Sequence, residues 1–77
     1  MKNPNFTVMM YSINREPQGY LKRISTYYYK VESTNNLAEA KKYAKEKTAL
    51  ADAELVMAMT NAGLICEVVR IWTVNRL

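Results

Sequence analysis

Apolar and polar positions along this chain change period twice. From Phe6 to Asn14 the residues FTVMMYSIN are mostly β-branched, aromatic or methionine, and the next five, REPQG, hold both a proline and a glycine. That pattern is a strand entering a turn. Tyr20 to Val31, YLKRISTYYYKV, resumes the same chemistry. The spacing predicts a hairpin over 6–31, its loop closed by Gly19 at positive φ.

Past Val31 the period becomes helical. Asn36 followed by Glu39 matches a capping box, in which the two side chains satisfy the orphan amides of a helix start. Alanine, leucine, lysine and glutamate then dominate as far as Ala62, all of them strong helix formers. Leu37, Ala40, Ala44, Ala51, Leu55, Ala58 or Met59, and Ala62 draw an apolar stripe, and Gly63 stands where a terminating glycine belongs. An unbroken helix over 37–62 would be about 39 Å long, against a radius of gyration of about 11 to 12 Å for a compact chain of this size. A bend or break is therefore expected near Thr48 to Asp52, where Thr48 and Asp52 offer a second cap. Leu64 to Val74, LICEVVRIWTV, is the clearest strand in the chain.

The elements predict a single α+β domain of order β-β-α-β. Its three-stranded antiparallel sheet has spatial order 2-1-3, with one helical region on one face. A sheet covered on one side should alternate apolar inward and polar outward. Here Phe6, Val8 and Met10 oppose Met9, Tyr11 and Ile13. In the second strand Tyr27, Tyr29 and Val31 oppose Ile24 and Tyr28. In the third, Ile65, Val69 and Ile71 oppose Leu64, Cys66, Val68, Trp72 and Val74. One helical region shields one face, so the other presents aromatic and aliphatic groups, and contiguous apolar patches mark binding surfaces. The candidates to cover it are a second copy, a different protein, a nucleic acid, or the second half of the helical region wrapped round the edge.

Composition sharpens this picture. Of 77 residues 49% are hydrophobic and 23% charged, the balance of a globular domain, too short for a second core. Chains of this length often need a staple. Cys66 is the only cysteine and there is no histidine, so neither an internal disulfide nor a zinc site is expected, which leaves a partner chain. No apolar run suits a signal peptide or a membrane span, so the reading is a soluble cytoplasmic protein without membrane contact.

The same inventory argues against catalysis. No histidine, Gly-rich phosphate loop or nucleophile elbow is present, Asp52 and Glu54 diverge on a helix, and no cofactor is implied. The net charge of +4 raises nucleic-acid binding instead. Lys41, Lys42, Lys45 and Lys47, interleaved with Glu39 and Glu46, read as a solvated helical face. Lys22, Arg23 and Lys30 accompany the tyrosines, however, and Arg70 and Arg76 accompany Trp72, the ingredients of a stacking platform with phosphate contacts. Glu32 and Glu67 dilute it. Tyr11, Lys22, Arg23, Tyr27, Tyr28, Tyr29, Lys30, Arg70 and Trp72 are the candidate partner contacts, since aromatic and arginine anchors dominate interfaces.

In size, opening hairpin, NNLAEAKKYAKEK helix and closing strand, the chain resembles the small accessory proteins of bacteriophages, including anti-CRISPR and other anti-defence inhibitors. The resemblance implies a non-enzymatic inhibitor that occupies a surface of a host protein or ribonucleoprotein complex. A small basic RNA- or DNA-binding protein is the alternative, and a homodimer is compatible with either.

Overall fold

The central strand is β1, Phe6–Ser12, where Val8 and Met10 are fully buried on one face. In the computed structural model, which describes residues 5–71, β1 pairs antiparallel with three other strands. β5, Leu64–Arg70, runs along its whole length, from Phe6 opposite Arg70 to Ser12 opposite Leu64. β2, Pro17–Ser25, pairs with Met9 to Tyr11, and the two-residue β4, Lys42–Tyr43, pairs with Phe6 and Thr7. Because β5 occupies one edge throughout, β2 and β4 must share the other, β2 along its later half and β4 along its first residues. β3, Lys30–Thr34, then pairs with the outer side of β2.

The α+β class and the flanking of the first strand by its hairpin partner and the last strand are as the sequence implies. The count is not. Among the described residues, five strands in the order β3-β2-β1-β4, with β5 on the other side of β1, replace the expected three. The expected second strand splits at a turn over Thr26 to Tyr29, and β4 arises inside the expected helix.

Residues 37–62 do not form one helical region. A single 3-10 turn, Leu37–Glu39, is followed by extended chain and then by α1, Glu46–Met59. The helical region is interrupted before Lys45, and α1 runs unbroken through Thr48 to Asp52, where the bend was expected. Where β2 leaves β1, the sheet captures the intervening chain. The Lys41 amide donates to the Leu21 carbonyl at 2.8 Å, the Thr7 hydroxyl donates to the Lys41 carbonyl at 2.8 Å, and the Asn5 amide donates to the Tyr43 carbonyl at 2.9 Å. Such long-range bonds override helix propensity, which is a weak prior. Asn36 caps as foreseen, accepting from the Ala38 amide, but its own amide is taken by the Thr34 hydroxyl and not by Glu39. Lys41 and Lys42 therefore lie outside α1, and the single lysine-rich helical face does not form.

With α1 beginning at Glu46, its buried stripe is Ala49, Ala53 and Val56, in place of the stripe through Ala51 and Ala58, both of which are exposed. Two small residues let the helix approach the sheet closely, where it meets Val8, Met10, Leu21, Tyr43 and Cys66. Burial pushes the Cys66 thiol pKa up, so this cysteine behaves as a core residue. α1 is terminated by Asn61 in the left-handed region, φ 52°. The Ala62 amide reaches the Met57 carbonyl and the Asn61 amide the Ala58 carbonyl, the paired bonds of a Schellman ending. Gly63 follows that ending and does not make it.

Gly19 does have positive φ, +103°, but inside β2. The β1–β2 connection closes earlier, over residues 13–16, with the Ser12 hydroxyl accepting from the amides of Asn14 and Glu16. Gly19 lies opposite Met10 at a bulge, where the register shifts between Met10 and Tyr11. No described helix is long and apolar enough to cross a membrane.

Candidate functional site

β2 and β3 continue beyond the rest of the sheet as a two-stranded ribbon. Arg23 pairs with Glu32, Ile24 with Val31 and Ser25 with Lys30, after a register shift between Leu21 and Arg23. Ile24 and Val31 pack against the core and hold the base of the ribbon. The tip is Thr26, Tyr27, Tyr28 and Tyr29, a four-residue turn joining the Ser25–Lys30 pair. The Ser25 hydroxyl accepts from the Tyr28 amide at 3.2 Å, the local bond by which serine nucleates turns.

The three tyrosines are thus in a turn and not on alternating faces of a strand. All point into solvent, 87%, 75% and 74% exposed for Tyr27, Tyr28 and Tyr29. Tyr27 and Tyr28 meet edge to face, with ring centroids 4.8 Å apart, an arrangement that favours a fixed tip over independent rotamers. Tyr29 has φ +56°, where glycine or asparagine is the ordinary occupant. Tyr29→Asn is therefore expected to raise stability by about 0.5 to 1 kcal/mol in chemical denaturation.

The cations around the tip are mostly matched. Arg23 lies 3.8 Å from Glu32, and Lys22 lies 3.9 Å from Glu39, which also accepts from the Thr34 hydroxyl. Lys30, exposed at the start of β3, forms no ion pair among the described residues. The tip therefore offers aromatic surface, hydroxyl groups and about one free positive charge.

Other sequence candidates lie elsewhere. Tyr11 is half-buried on the face of the sheet opposite α1, its hydroxyl 3.5 Å from the Met9 sulfur. Arg70 ends β5 on the helix-covered side, over the Phe6 ring at 5.5 Å. Trp72 and the expected strand residues through Val74 lie outside the described residues. The described candidates thus do not form one stacking platform across the sheet. The face opposite α1 carries Met9, Tyr11, Tyr20, Ile65 and Val69, each half-buried, around a fully buried Thr7. Its flank is polar: the Lys42 ammonium donates to the carbonyls of Ala38 and Ala40.

One further polar cluster joins β4 to α1. The Tyr43 hydroxyl donates to Asp52 Oδ2 at 2.5 Å, and the Lys41 ammonium lies 2.9 Å from the same oxygen. Burial, and then the Asp52 carboxylate, hold the Tyr43 hydroxyl protonated well above the usual tyrosine range. A phenol so held supplies neither base nor nucleophile near neutral pH; it fastens the helix. The folded state resists losing this proton, whereas the unfolded chain loses it near pH 10. The stabilisation is therefore complete below about pH 10 and declines as pH rises above it. Denaturant midpoints measured from pH 8 to 11.5 should fall over the upper part of that range, and Tyr43→Phe should flatten the fall.

Sequence reading missed that the tyrosines make a turn. The available signal was three consecutive bulky rings after Ser25-Thr26, which breaks strand alternation just after a turn-forming serine. No protein family, characterised protein or solved structure matches this chain.

Proposed function

We propose that this chain is a non-catalytic binding module that docks its tyrosine tip onto another protein or a ribonucleoprotein. Its action is that of a stoichiometric inhibitor of the phage-encoded type, which works by occupying a surface. The observation that carries this reading is the exposure of three consecutive large aromatic rings on a ribbon whose base is set in the core. Folding gains nothing from rings left in water, and a bulky residue at positive φ costs about 1 kcal/mol or more. Tyrosine suits a protein interface because it offers large apolar area and a polar end at low rotamer cost.

Charge decides between a protein and a nucleic acid. Affinity for phosphates grows with the number of cations that contact them. Around the tip, Arg23 and Lys22 each face a carboxylate. The protein partner is favoured.

The test is affinity capture from host lysate, with and without nuclease treatment, using the wild-type chain and a variant carrying serine at Tyr27, Tyr28 and Tyr29. Proteins retained by the wild type and lost by the variant are the expected result. Identical retention by both would sink the reading. So would tight binding of labelled single-stranded oligonucleotide that weakens steeply between two salt concentrations.

A further inference from the structure

We infer that residues 40–45 are a switch segment, extended in the native fold and α-helical in a second, minor state in which one helix runs from Leu37 to Met59. Both ends of that longer helix already exist. The 3-10 turn Leu37–Glu39 stands at its start with Asn36 as cap, and α1 forms its later part. Making a first turn is the costly step of helix growth, and lengthening one is not. The chain leaves helical geometry at Ala40, whose ψ is 148°. Residues 40–45, AKKYAK, are alanine and lysine apart from Tyr43, both strong helix formers. α1 as it stands also starts poorly. Lys45 at its cap position makes no side-chain bond, and Lys45 and Lys47 set positive charge against the positive end of the helix. A start at Asn36 supplies an asparagine cap and an acidic first turn through Glu39.

Contacts from outside the segment hold it extended. The Thr7 hydroxyl donates to the Lys41 carbonyl, the Tyr43 hydroxyl donates to Asp52, and Tyr43 is 5% exposed, in the core. The same stretch braces the ribbon. The Lys41 amide donates to the Leu21 carbonyl, and Glu39 accepts from the Thr34 hydroxyl and lies 3.9 Å from Lys22. An extended residue rises about 3.3 Å and a helical one about 1.5 Å, so coiling residues 40–45 shortens the segment by about 10 Å. β3 ends at Thr34, just before Asn36, so the ribbon takes up that shortening while Lys41 leaves the Leu21 carbonyl. The switch thereby sets how firmly the tyrosine tip is held against the core. The conformational change is independent of what the tip binds, whereas its effect on affinity rests on the tip being the binding site.

Thr7→Val combined with Tyr43→Ala removes the hydroxyl bonds and the buried ring that favour the extended state, and leaves a stronger helix former at 43. Residues 40–45 of this double variant should show helical Cα chemical shifts, and its helical circular dichroism should exceed that of the wild type by about half. Adding Ala44→Pro should abolish both gains, since proline bars a continuous helix but accepts an extended residue before it. Ribbon amides over residues 21–25 of the double variant should exchange about tenfold faster or more, their brace being lost. In the wild type, relaxation dispersion over residues 40–45 should report a minor state with helical shifts, which Ala44→Pro alone removes. Coil-like or extended shifts in the folded double variant would overturn the inference, and so, where that variant unfolds, would a wild-type minor state that is coil-like or absent. A partner captured through the tip should bind the Ala44→Pro chain as tightly as the wild type and the double variant about tenfold more weakly. Equal affinity for a helical double variant would overturn the coupling to the tip. Capture that ignores the tyrosines sinks the proposed function and not the switch, which the chemical shifts read by themselves.

Discussion

Gly19→Ala is expected to lower stability by about 2 to 4 kcal/mol, seen as a fall in the denaturant midpoint at constant slope. Two separate costs add. At φ +103° an alanine is strained whatever surrounds it. Its Cβ would also lie 2.8 Å from the Thr34 carbonyl oxygen and 3.1 Å from Asn35 Oδ1. The nearer obstacle is backbone of the strand pair that holds the ribbon, so relief requires β3 to shift. The ribbon is the scaffold of the tip, and partner binding should fall together with stability. A midpoint within experimental error of the wild type would show that the bulge at Gly19 is not as described.

Serine at Tyr27, Tyr28 and Tyr29 together should act in the opposite sense, removing binding while sparing the fold. Rings 74–87% exposed contribute little to the core, so the denaturant midpoint should move by less than about 1 kcal/mol equivalent. Interface tyrosines that become desolvated cost about 2 kcal/mol or more each when truncated. Affinity for a captured partner should therefore drop at least about 100-fold, as measured by titration of the purified pair. Single substitutions would rank the rings, and Tyr29→Asn would separate backbone relief from loss of contact, since it stabilises the chain while removing one ring. If the triple variant bound as tightly as the wild type, the tip would be no anchor.

The site was half legible in the sequence. Tyr27, Tyr28 and Tyr29 announce themselves as an aromatic cluster beside basic residues, and that composition is independent of fold. Their joint exposure was not legible, because it depends on whether residue 26 continues a strand or begins a turn, and the turn here contains no glycine, asparagine or proline. Nor could the sequence say that Arg23 and Lys22 would each meet a carboxylate, which is what shifts the reading away from phosphates.

What the chain determined locally were the features whose cause lies within a few residues. These include the β-rich opening, the helix of alanine and leucine over Glu46–Met59, the closing apolar strand, the Asn36 cap and the positive φ of Gly19. Only the tertiary structure decided where the helix begins. Residues 40–45 have helical composition, yet the edge of β1 left open before Met9 offers pairing to extended chain, which Lys42 and Tyr43 take, while Lys41 bonds to Leu21 of β2 and to the Thr7 hydroxyl. The same departure of β2 from β1 leaves the ribbon free to carry the tyrosines outward. Propensity is worth tenths of a kcal/mol per residue, whereas an unpaired strand edge leaves several backbone groups to be satisfied at about 1 kcal/mol each, so the long-range bonds prevail.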